Sequence, residues 1–456
     1  MRPRRGLART GPAHLALTLA LAGVLTACGG SGSPSPSASA PSDATGSAEP
    51  SADIGQVVPA PGSDSRVYAP NPAAIVVAID PGHGGCLDWG VPNPYDNTIE
   101  RSEKALTLGI SLALRDRLEA EGVTVVMTRD TDVALAGDDY PELGCSGDPF
   151  RDVNGDGVAG FGPSVPPETR TRDELAAHID LVNLARPDVL LSIHINSFIE
   201  NGVVVEIAGT ETYWTDETAW GVPYSERLAT EVQRAVVSAL GELAPYERQD
   251  RGIDAVNYYV IAPPSTTDDP AQPRRGSLMP GVLAEVGSMS LEAEADLLAT
   301  DEAQAAIADA LADALVAWFA ARDLSGRIDL LAPGGAAGVP PPALPGEGPM
   351  YWAPVVDDPT EVTLRLTNTG TAVWPGGGQL LAGWATTDEP YLARPPMLEP
   401  LDAAVPALAP GESVDLVVAL PPPPADGRSV AWITIGLGDV VLADTGNPAL
   451  QFEAGA

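Results

Sequence analysis

The sequence predicts an α/β domain with a mostly parallel sheet flanked by helices, followed by a smaller all-β domain. Between residues 73 and 322, short apolar runs alternate with longer segments whose leucines recur at helical spacing. After residue 350, short segments alternate apolar and polar residues and are separated by Gly/Pro turns. The first pattern is typical of a parallel sheet with crossover helices, and the second is typical of antiparallel strands.

The N-terminal segment has the organisation of a bacterial lipoprotein signal. Arginines between positions 2 and 9 are followed by an apolar stretch over residues 15–25. The segment LTAC resembles a lipobox, in which Cys28 is lipidated and becomes the first mature residue; an ordinary secretory signal is the alternative. We predict a signal peptide over residues 1–27 and, because Ser, Pro, Gly and Ala dominate residues 28–70, a disordered linker after it.

The chain is strongly acidic, with a formal net charge of −37. A field of this sign repels phosphate groups, so we expect no nucleic acid and no anionic lipid to be bound through it. After the signal segment no run of about 18 apolar residues is evident. Membrane attachment is therefore expected through a lipid anchor on Cys28.

The α/β domain is expected over residues 71–325. Strands are predicted at 75–79, 123–128, 189–195, 203–207, 258–261 and 282–286, and helices at 102–120, 174–185, 229–240 and 291–319. About 250 residues of this pattern are enough for one large core.

The C-terminal region is expected to be a separate domain. Pro and Gly predict a linker over residues 326–349, and the alternation in residues 350–456 predicts an immunoglobulin-like β-sandwich. Trp374 and Trp432 are expected in its core, with a sugar-stacking surface as the alternative. The region contains no His or Cys, so we predict a binding or spacer role with an unknown ligand.

Two of the four histidines come at the ends of strand-like runs. His83 lies on a Gly-rich turn after one run, and His194 ends another. Between them in the sequence, Glu103 lies in the first turn of the first long helix. Because the carboxyl ends of parallel strands meet at one edge of a sheet, these side chains can converge there. Two imidazoles and a carboxylate, with a fourth position left open, are a ligand set of catalytic zinc sites.

Glu285 follows a further apolar run. A carboxylate at the end of a buried strand costs free energy unless it has a partner or a task. Beside a zinc ion, an unligated glutamate can accept the proton of the attacking water. The residues alone therefore point to a zinc-dependent hydrolase.

Five ordered motifs resemble the type 3 class of zinc-dependent N-acetylmuramoyl-L-alanine amidases. They are VVAIDPGHGG, the Glu103-Lys104 pair, VTVVMTRDTD, DVLLSIHINS and VLAEVG, and residues 291–315 are similar to the closing helix of that family. The resemblance implies the zinc amidase/phosphorylase-like form of the α/β fold. It also implies zinc bound by His83, Glu103 and His194, with Glu285 as the catalytic carboxylate.

Three further residues are weighed as site residues. Glu100, three residues before Glu103, is the competing metal ligand. His178 stands where the family often has an arginine. His178 is a candidate for contacting the substrate or supporting the metal ligands, with an ordinary half-buried helix histidine as the alternative. Asn196, at the end of the run that contains His194, is a second candidate.

The two cysteines besides Cys28 predict a disulfide. A bond between Cys86 and Cys145 closes a loop of roughly 60 residues and contributes about 4 kcal/mol in the chain-entropy model. The alternative makes Cys86, three residues after His83, a metal ligand.

Two insertions, 134–167 and 263–279, interrupt the family pattern and are expected to border the site. In the first, Asp152, Asn154 and Asp156 alternate and are followed by glycine, as in the first half of a calcium loop. The twelfth position is Pro163 rather than Glu, which argues against an EF-hand. A Ca²⁺-stabilised loop and a plain Asx-rich turn both stay open.

We therefore expect a cell-wall hydrolase that cleaves the amide between N-acetylmuramic acid and L-alanine in peptidoglycan, using Zn²⁺-activated water. It would act outside the cytoplasm, in the cell envelope, anchored to the membrane as a lipoprotein. The alternatives are a zinc peptidase acting on another peptidoglycan amide and a non-catalytic wall-binding lipoprotein. The intact set of ligands and base argues against the last.

Overall fold

A computed structural model describes residues 74–85, 88–136, 172–218, 220–263, 276–332, 355–356, 358–386, 395–424, 427 and 429–454. The predicted signal peptide and first linker, all three cysteines and the calcium-like loop lie outside the described residues. The lipidation, disulfide and calcium predictions therefore have no structural counterpart here.

The α/β domain contains β1–β8 and α1–α5. The strands are β1 (Val76–Pro81), β2 (Thr124–Met127), β3 (Val189–Asn196), β4 (Ile199–Glu200), β5 (Val203–Val204), β6 (Gly209–Trp214), β7 (Gln249–Ala255) and β8 (Gly281–Ser288). The helices are α1 (Glu103–Ala120), α2 (Arg172–Ala185), α3 (Glu226–Leu243), α4 (Glu292–Leu298) and α5 (Asp301–Ala320).

Six of these strands form one sheet in the order β2-β1-β3-β8-β6-β7. β2, β1, β3 and β8 are parallel to one another, whereas β6 is antiparallel to β8 and parallel to β7. The predicted, mostly parallel α/β sheet is therefore present, with a pair of reversed strands at one edge. The carboxyl ends of β1, β3 and β8 lie side by side.

The two faces of the sheet are covered unequally. On one face α1, α3 and α5 pack through fully buried residues such as Ile110, Val232 and Leu311 against the sheet. On the other face Ile179 of α2 packs against β1, β3 and β8, where it meets Leu283. Because side chains alternate along a strand, every second residue of β3, β8 and β6 points to the α2 face.

One predicted strand is much shorter than expected, and another is wrong. The segment 203–207 contains only the short strand β5, and Val203 is 66% exposed. The segment 258–261 forms turns in which the amides of Ile261 and Ala262 donate to the carbonyl of Tyr258. The strands at this edge are instead β6 and β7, which pair with each other and, through β6, with β8. Both segments are polar, so an apolar pattern could not predict them.

The predicted helix over 291–319 is divided into α4 and α5. The Thr300 hydroxyl accepts a hydrogen bond from the amide of Ala303, and Asp301 lies in the first turn, so a new helix begins there. Among the described residues, α5 is long and apolar enough to cross a membrane by composition. Its Leu315 and Trp318 are fully buried in the domain core, which accounts for that composition.

The C-terminal region forms two β-sheets. Their strands are β9 (Gly326–Ala332), β10 (Val355–Val356), β11 (Glu361–Asn368), β12 (Gly378–Thr386), β13 (Glu399–Val405), β14 (Ser413–Ala419), β15 (Ser429–Leu437), β16 (Val440–Val441) and β17 (Leu450–Ala454). One sheet has the order β10-β17-β15-β12-β13 with β16 beside β15, and the other has the order β14-β11-β9. Both contribute to one apolar core that contains the fully buried Trp374.

The α/β domain and the C-terminal sheets are in direct contact. Residues 326–332, predicted as the start of a linker, instead form β9, which pairs antiparallel with β11 and alternates between buried and half-buried residues. Trp432 packs with Leu184 and Leu278 of the α/β domain in a buried cluster. The Arg186 guanidinium donates to the carbonyl of Ile328 at 2.8 Å. The sheets are therefore held against the α/β domain.

Candidate metal centre

His83 lies on the tight turn that follows β1. Its φ is 64°, in the left-handed region, which costs a non-glycine residue about 1–2 kcal/mol. The amide of Gly82 donates to the carbonyl of Ile193 at 2.9 Å, which ties the turn to β3. This backbone conformation places the His83 ring edge-to-face with the ring of His194, with 4.9 Å between the centroids.

Glu103 joins the two histidines from the first turn of α1. Its side chain is 1% exposed; Oε2 lies 3.1 Å from His83 Nε2, and Oε1 lies 3.1 Å from His194 Nδ1. The amides of Val91 and Ile195 also donate to the carboxylate, at 2.6 and 3.0 Å. The candidate ligand atoms of the three residues all lie within 4.8 Å of one another, close enough to hold a metal ion.

Asp88 supports His83 and was missed in the sequence. Its Oδ1 accepts a hydrogen bond from His83 Nδ1 at 2.9 Å and another from the amide of Gly90 at 3.2 Å. A carboxylate on the far nitrogen of a ligating imidazole fixes its tautomer and orientation. The sequence feature that could have identified it is its position, five residues after His83 in the loop that follows β1.

Two glycines leave room for the cluster. A Cβ atom on Gly82 would collide with the ring of His194, and one on Gly90 would collide with the carboxylate of Glu103. Gly90 also has a φ of 80°. The loop backbone therefore approaches the three side chains more closely than a chain with larger residues could.

The electrostatics of the cluster favour a cation. Burial opposes a charge on His83, but the carboxylates of Asp88 and Glu103 outweigh it and raise the pKa of His83 well above its usual value. Burial would raise the pKa of Glu103, but the imidazoles of His83 and His194 lower it below its usual range. Positive charge is thus stabilised where the three side chains meet.

Glu285 lies on β8 directly beside His194 of β3 in the sheet register. Among the described residues no donor contacts its Oε2, although that atom is buried. Burial and the nearby carboxylate of Glu103 raise the pKa of Glu285 well above its usual value. A carboxylate with a free oxygen beside the three candidate metal ligands is suited to proton transfer.

Glu100 is placed apart from the cluster. It lies in the short helical turn Ile99–Arg101, where its side chain is exposed, and the group that could hold a metal contains Glu103 instead. Asn196 ends β3, and its Oδ1 accepts a hydrogen bond from the amide of Ser197 at 2.8 Å.

His178 is fully buried, at 4% exposure, rather than half-buried. Its Nδ1 lies 2.6 Å from Asp80 Oδ1, and its Nε2 lies 3.1 Å from Glu174 Oε1. Glu174 in turn accepts the amides of Leu135 and Ala136. His178 therefore connects α2 to β1 and, through Glu174, to the segment after β2.

Lys104, the only lysine of the chain, is also buried. Its Nζ donates to the carbonyl of Gly85 and to Asp132 Oδ2, each at 2.6 Å. Arg129 extends this network by donating to the carbonyls of Gly82 and Lys104. Two buried cations thus hold the turn that carries His83 against the start of α1.

The residues present fit a zinc ion. Two imidazoles and one carboxylate are the ligand set of a catalytic site, and the cluster contains no further ligand among the described residues. The hydrogen bond from His83 to Asp88 supplies the outer support that such sites use.

Relatives of the chain have been found by sequence and by structure. A family model described as N-acetylmuramoyl-L-alanine amidase matches residues 77–317. YqiI of Bacillus subtilis, which is uncharacterised, is 26% identical over 243 residues, covering 53% of this chain and 84% of that protein. The germination-specific N-acetylmuramoyl-L-alanine amidase of the same organism is 24% identical, with coverages of 54% and 79%.

Solved structures of similar chains include the catalytic domain of CwlV, an N-acetylmuramoyl-L-alanine amidase from Bacillus (Paenibacillus) polymyxa. It is 24% identical, with a TM-score of 0.36, and the match covers 54% of this chain and 97% of that one. The family model spans more than half of the chain and includes all four residues His83, Glu103, His194 and Glu285. The chain therefore belongs to the N-acetylmuramoyl-L-alanine amidase family.

Proposed function

We propose that the protein is a zinc-dependent hydrolase that cleaves the amide between N-acetylmuramic acid and L-alanine in peptidoglycan. The observation that carries this proposal is the convergence of His83, Glu103 and His194 beside a glutamate whose Oε2 has no donor. The bond to be cleaved is the one that gives the family its name.

His83, Glu103 and His194 would hold the metal. A zinc ion bound there supplies a Lewis acid that lowers the pKa of water and polarises the scissile carbonyl. The chain contributes a rigid set of ligands, because Glu103 is fixed by two backbone amides and His83 by Asp88. Rigid ligands keep the catalytic geometry without reorganisation during the reaction.

Glu285 is the proposed general base and acid. Its free Oε2 takes a proton from the attacking water and returns it to the nitrogen of L-alanine as the amide bond breaks. Water loses one proton, the carbonyl carbon gains an oxygen, and the amine leaves neutral. Burial raises the pKa of Glu285. Its carboxylate is therefore a stronger base towards the attacking water than the carboxylate of an exposed glutamate.

The N-terminal segment would place the protein outside the cytoplasm, at the membrane. Residues 1–27 would direct export and Cys28 would carry the lipid anchor, so the α/β domain acts on the wall from the outer side of the membrane. An immunoglobulin-like fold for the C-terminal sheets, and a ligand for them, belong to the same proposal.

A digestion of purified peptidoglycan by the chain from residue 29 onward tests the chemistry. We expect mass spectrometry to detect free stem peptides that begin with L-alanine. Chelation should abolish them and zinc should restore them. Glu285→Gln, which keeps the shape of the side chain, should still bind one zinc per chain while kcat falls by about 10²–10⁴-fold.

The other outcomes separate the alternatives. Cleavage inside the stem peptide would identify a zinc peptidase. Zinc binding without any product, together with retention of the chain on peptidoglycan, would identify a wall-binding protein. An exposed acidic residue on α1 provides the matched control: Asp116→Asn removes the same charge far from the cluster and should leave the digestion unchanged.

A further inference from the structure

Four polar side chains lie in a row across the sheet, beginning at His194 of the candidate metal centre. His194 of β3 is the register partner of Glu285 on β8, and Glu285 is the partner of Glu211 on β6. On β7 the register shifts opposite Glu211, so that Arg251 comes beside it, with its Nε 3.1 Å from Glu211 Oε2. The row is therefore His194, Glu285, Glu211 and Arg251.

The row lies on the face of the sheet against which α2 and the segments 258–261 and 278–279 pack. Leu283, two residues before Glu285, packs in the same apolar cluster as Ile179 of α2, and Tyr213, two residues after Glu211, packs against that cluster. Glu285 and Glu211 point to the same face, because side chains alternate along a strand. Arg251 remains 27% exposed there.

Glu211 and Phe198 orient the guanidinium of Arg251 and leave its two terminal nitrogens available to a ligand. Its Nε donates to Glu211, and its central carbon lies 4.4 Å from the centroid of the Phe198 ring. Among the residues that the structure describes, neither terminal nitrogen of Arg251 has a hydrogen-bond partner. An oriented fork with two free donors matches the geometry of a carboxylate.

Arg251 is a positive charge in acidic surroundings. The chain has a net charge of −37, and Glu285 and Glu211 are the nearest ionisable members of the row. An acidic substrate would be repelled there without a compensating cation. Arg251 supplies one in the position where the substrate would extend past Glu285.

The distances fit the residue that follows L-alanine. Neighbouring strands lie about 4.8 Å apart, and Arg251 reaches back from β7 towards β6, so its guanidinium is about 5–10 Å from Glu285. An extended peptide advances about 3.4 Å per residue, and two residues span about 7 Å. With the scissile amide at Glu285, the second residue of the stem peptide reaches Arg251.

We infer that Arg251, held by Glu211 and Phe198, is a specificity residue that binds a carboxylate on the second residue of the stem peptide. This inference rests on the proposed function, because it places the scissile amide beside Glu285. It assigns Glu211 as a positioning residue, which orients the guanidinium without contacting the substrate.

Two synthetic muropeptides test the inference. Both contain N-acetylmuramic acid, L-alanine and a second residue whose α-carboxyl group is either a free carboxylate or a carboxamide. For the wild type we expect kcat/KM to be at least about 10-fold higher with the carboxylate, the size of one charge-assisted pair. The difference should lie mainly in KM.

Variants then assign the effect to a residue. Arg251→Gln should bring the ratio of kcat/KM for the two substrates close to 1, and Arg251→Lys should keep part of it, because the charge stays while the fork is lost. Arg234→Gln on α3, which removes an exposed charge from an ion pair with Glu231, is the control and should keep the ratio.

Equal cleavage of both muropeptides by the wild type would overturn the inference. So would a loss in Arg251→Gln that is equal for both, since that marks a purely structural role. A wild type that cleaves neither muropeptide nor peptidoglycan would instead contradict the proposed function itself.

Discussion

His83 Nδ1 lies 2.9 Å from Asp88 Oδ1, while the Nε2 atom of the same ring lies 3.1 Å from Glu103. The ring is therefore held at both nitrogens, on a residue whose backbone is in the left-handed region. Because an ionised carboxylate can only accept, Nδ1 donates to Asp88, and a metal ion bound by the cluster would take the place of the proton on Nε2.

Asp88→Ala should weaken zinc binding more than it weakens the fold. Loss of the outer hydrogen bond frees the His83 ring, and such losses cost about 10–100-fold in metal affinity. Competition with a chromophoric chelator measures the affinity. Asp116→Ala on the exposed surface of α1 is the control. Unchanged zinc affinity in Asp88→Ala would show that His83 is oriented without this carboxylate.

The convergence of His83, Glu103 and His194 could be predicted because it follows from general features of a parallel sheet. Strand-like runs ending in His83 and His194 had to meet at one edge, and Glu103 opened the helix between them. Asp88 and Arg251 could not be found in this way. Asp88 acts through a turn, and Arg251 lies on the polar strand β7, whose pairing to β6 depends on tertiary packing rather than on an apolar pattern.

Lys104 should be protected from amine reagents in the native protein. It is 2% exposed and donates to Gly85 and Asp132, and no other lysine competes for the label. Peptide mapping after acylation should find Lys104 unmodified in the native chain and modified after unfolding. Asp132→Asn should increase the labelling rate and cost about 1–3 kcal/mol of stability, because a charged partner is lost. Rapid native labelling would contradict the buried ion pair.

The ion pair of His178 and Asp80 should make the protein less stable as the pH rises above neutrality. Burial opposes the charge of His178, but Asp80 and Glu174 outweigh it and raise its pKa to about 10. An unfolded histidine has a pKa of about 6.5, so between these values the folded state binds a proton that the unfolded state has lost. The stabilisation is complete below about pH 6.5 and decreases by up to about 1.4 kcal/mol per pH unit above it.

Ionised Asp80 stabilises the folded state, and this stabilisation is lost at low pH. Burial would raise its pKa, but His178 outweighs burial and lowers it below the usual range. This contribution is therefore present above about pH 4 and is lost in stronger acid. Urea unfolding at pH 6 and pH 9, with excess chelator to remove metal linkage, measures the slope. The double variant Asp80→Asn with His178→Gln should reduce the slope and leave the part that comes from the raised pKa of His83; an equal slope in that variant would contradict the role of the His178–Asp80 pair.

Trp432 should couple unfolding of the C-terminal sheets to that of the α/β domain. It packs with Leu184 and Leu278 across the contact, and β9 continues the chain from one region directly into a sheet of the other. Trp432→Ala removes a large buried side chain, at about 3–5 kcal/mol, so calorimetry should find one transition in the wild type and two in the variant. Trp384→Ala, which lies outside this shared cluster, should destabilise the sheets without separating the transitions. Two transitions in the wild type would mean that the contact is too weak to couple the regions, and that the sheets can move independently of the metal centre.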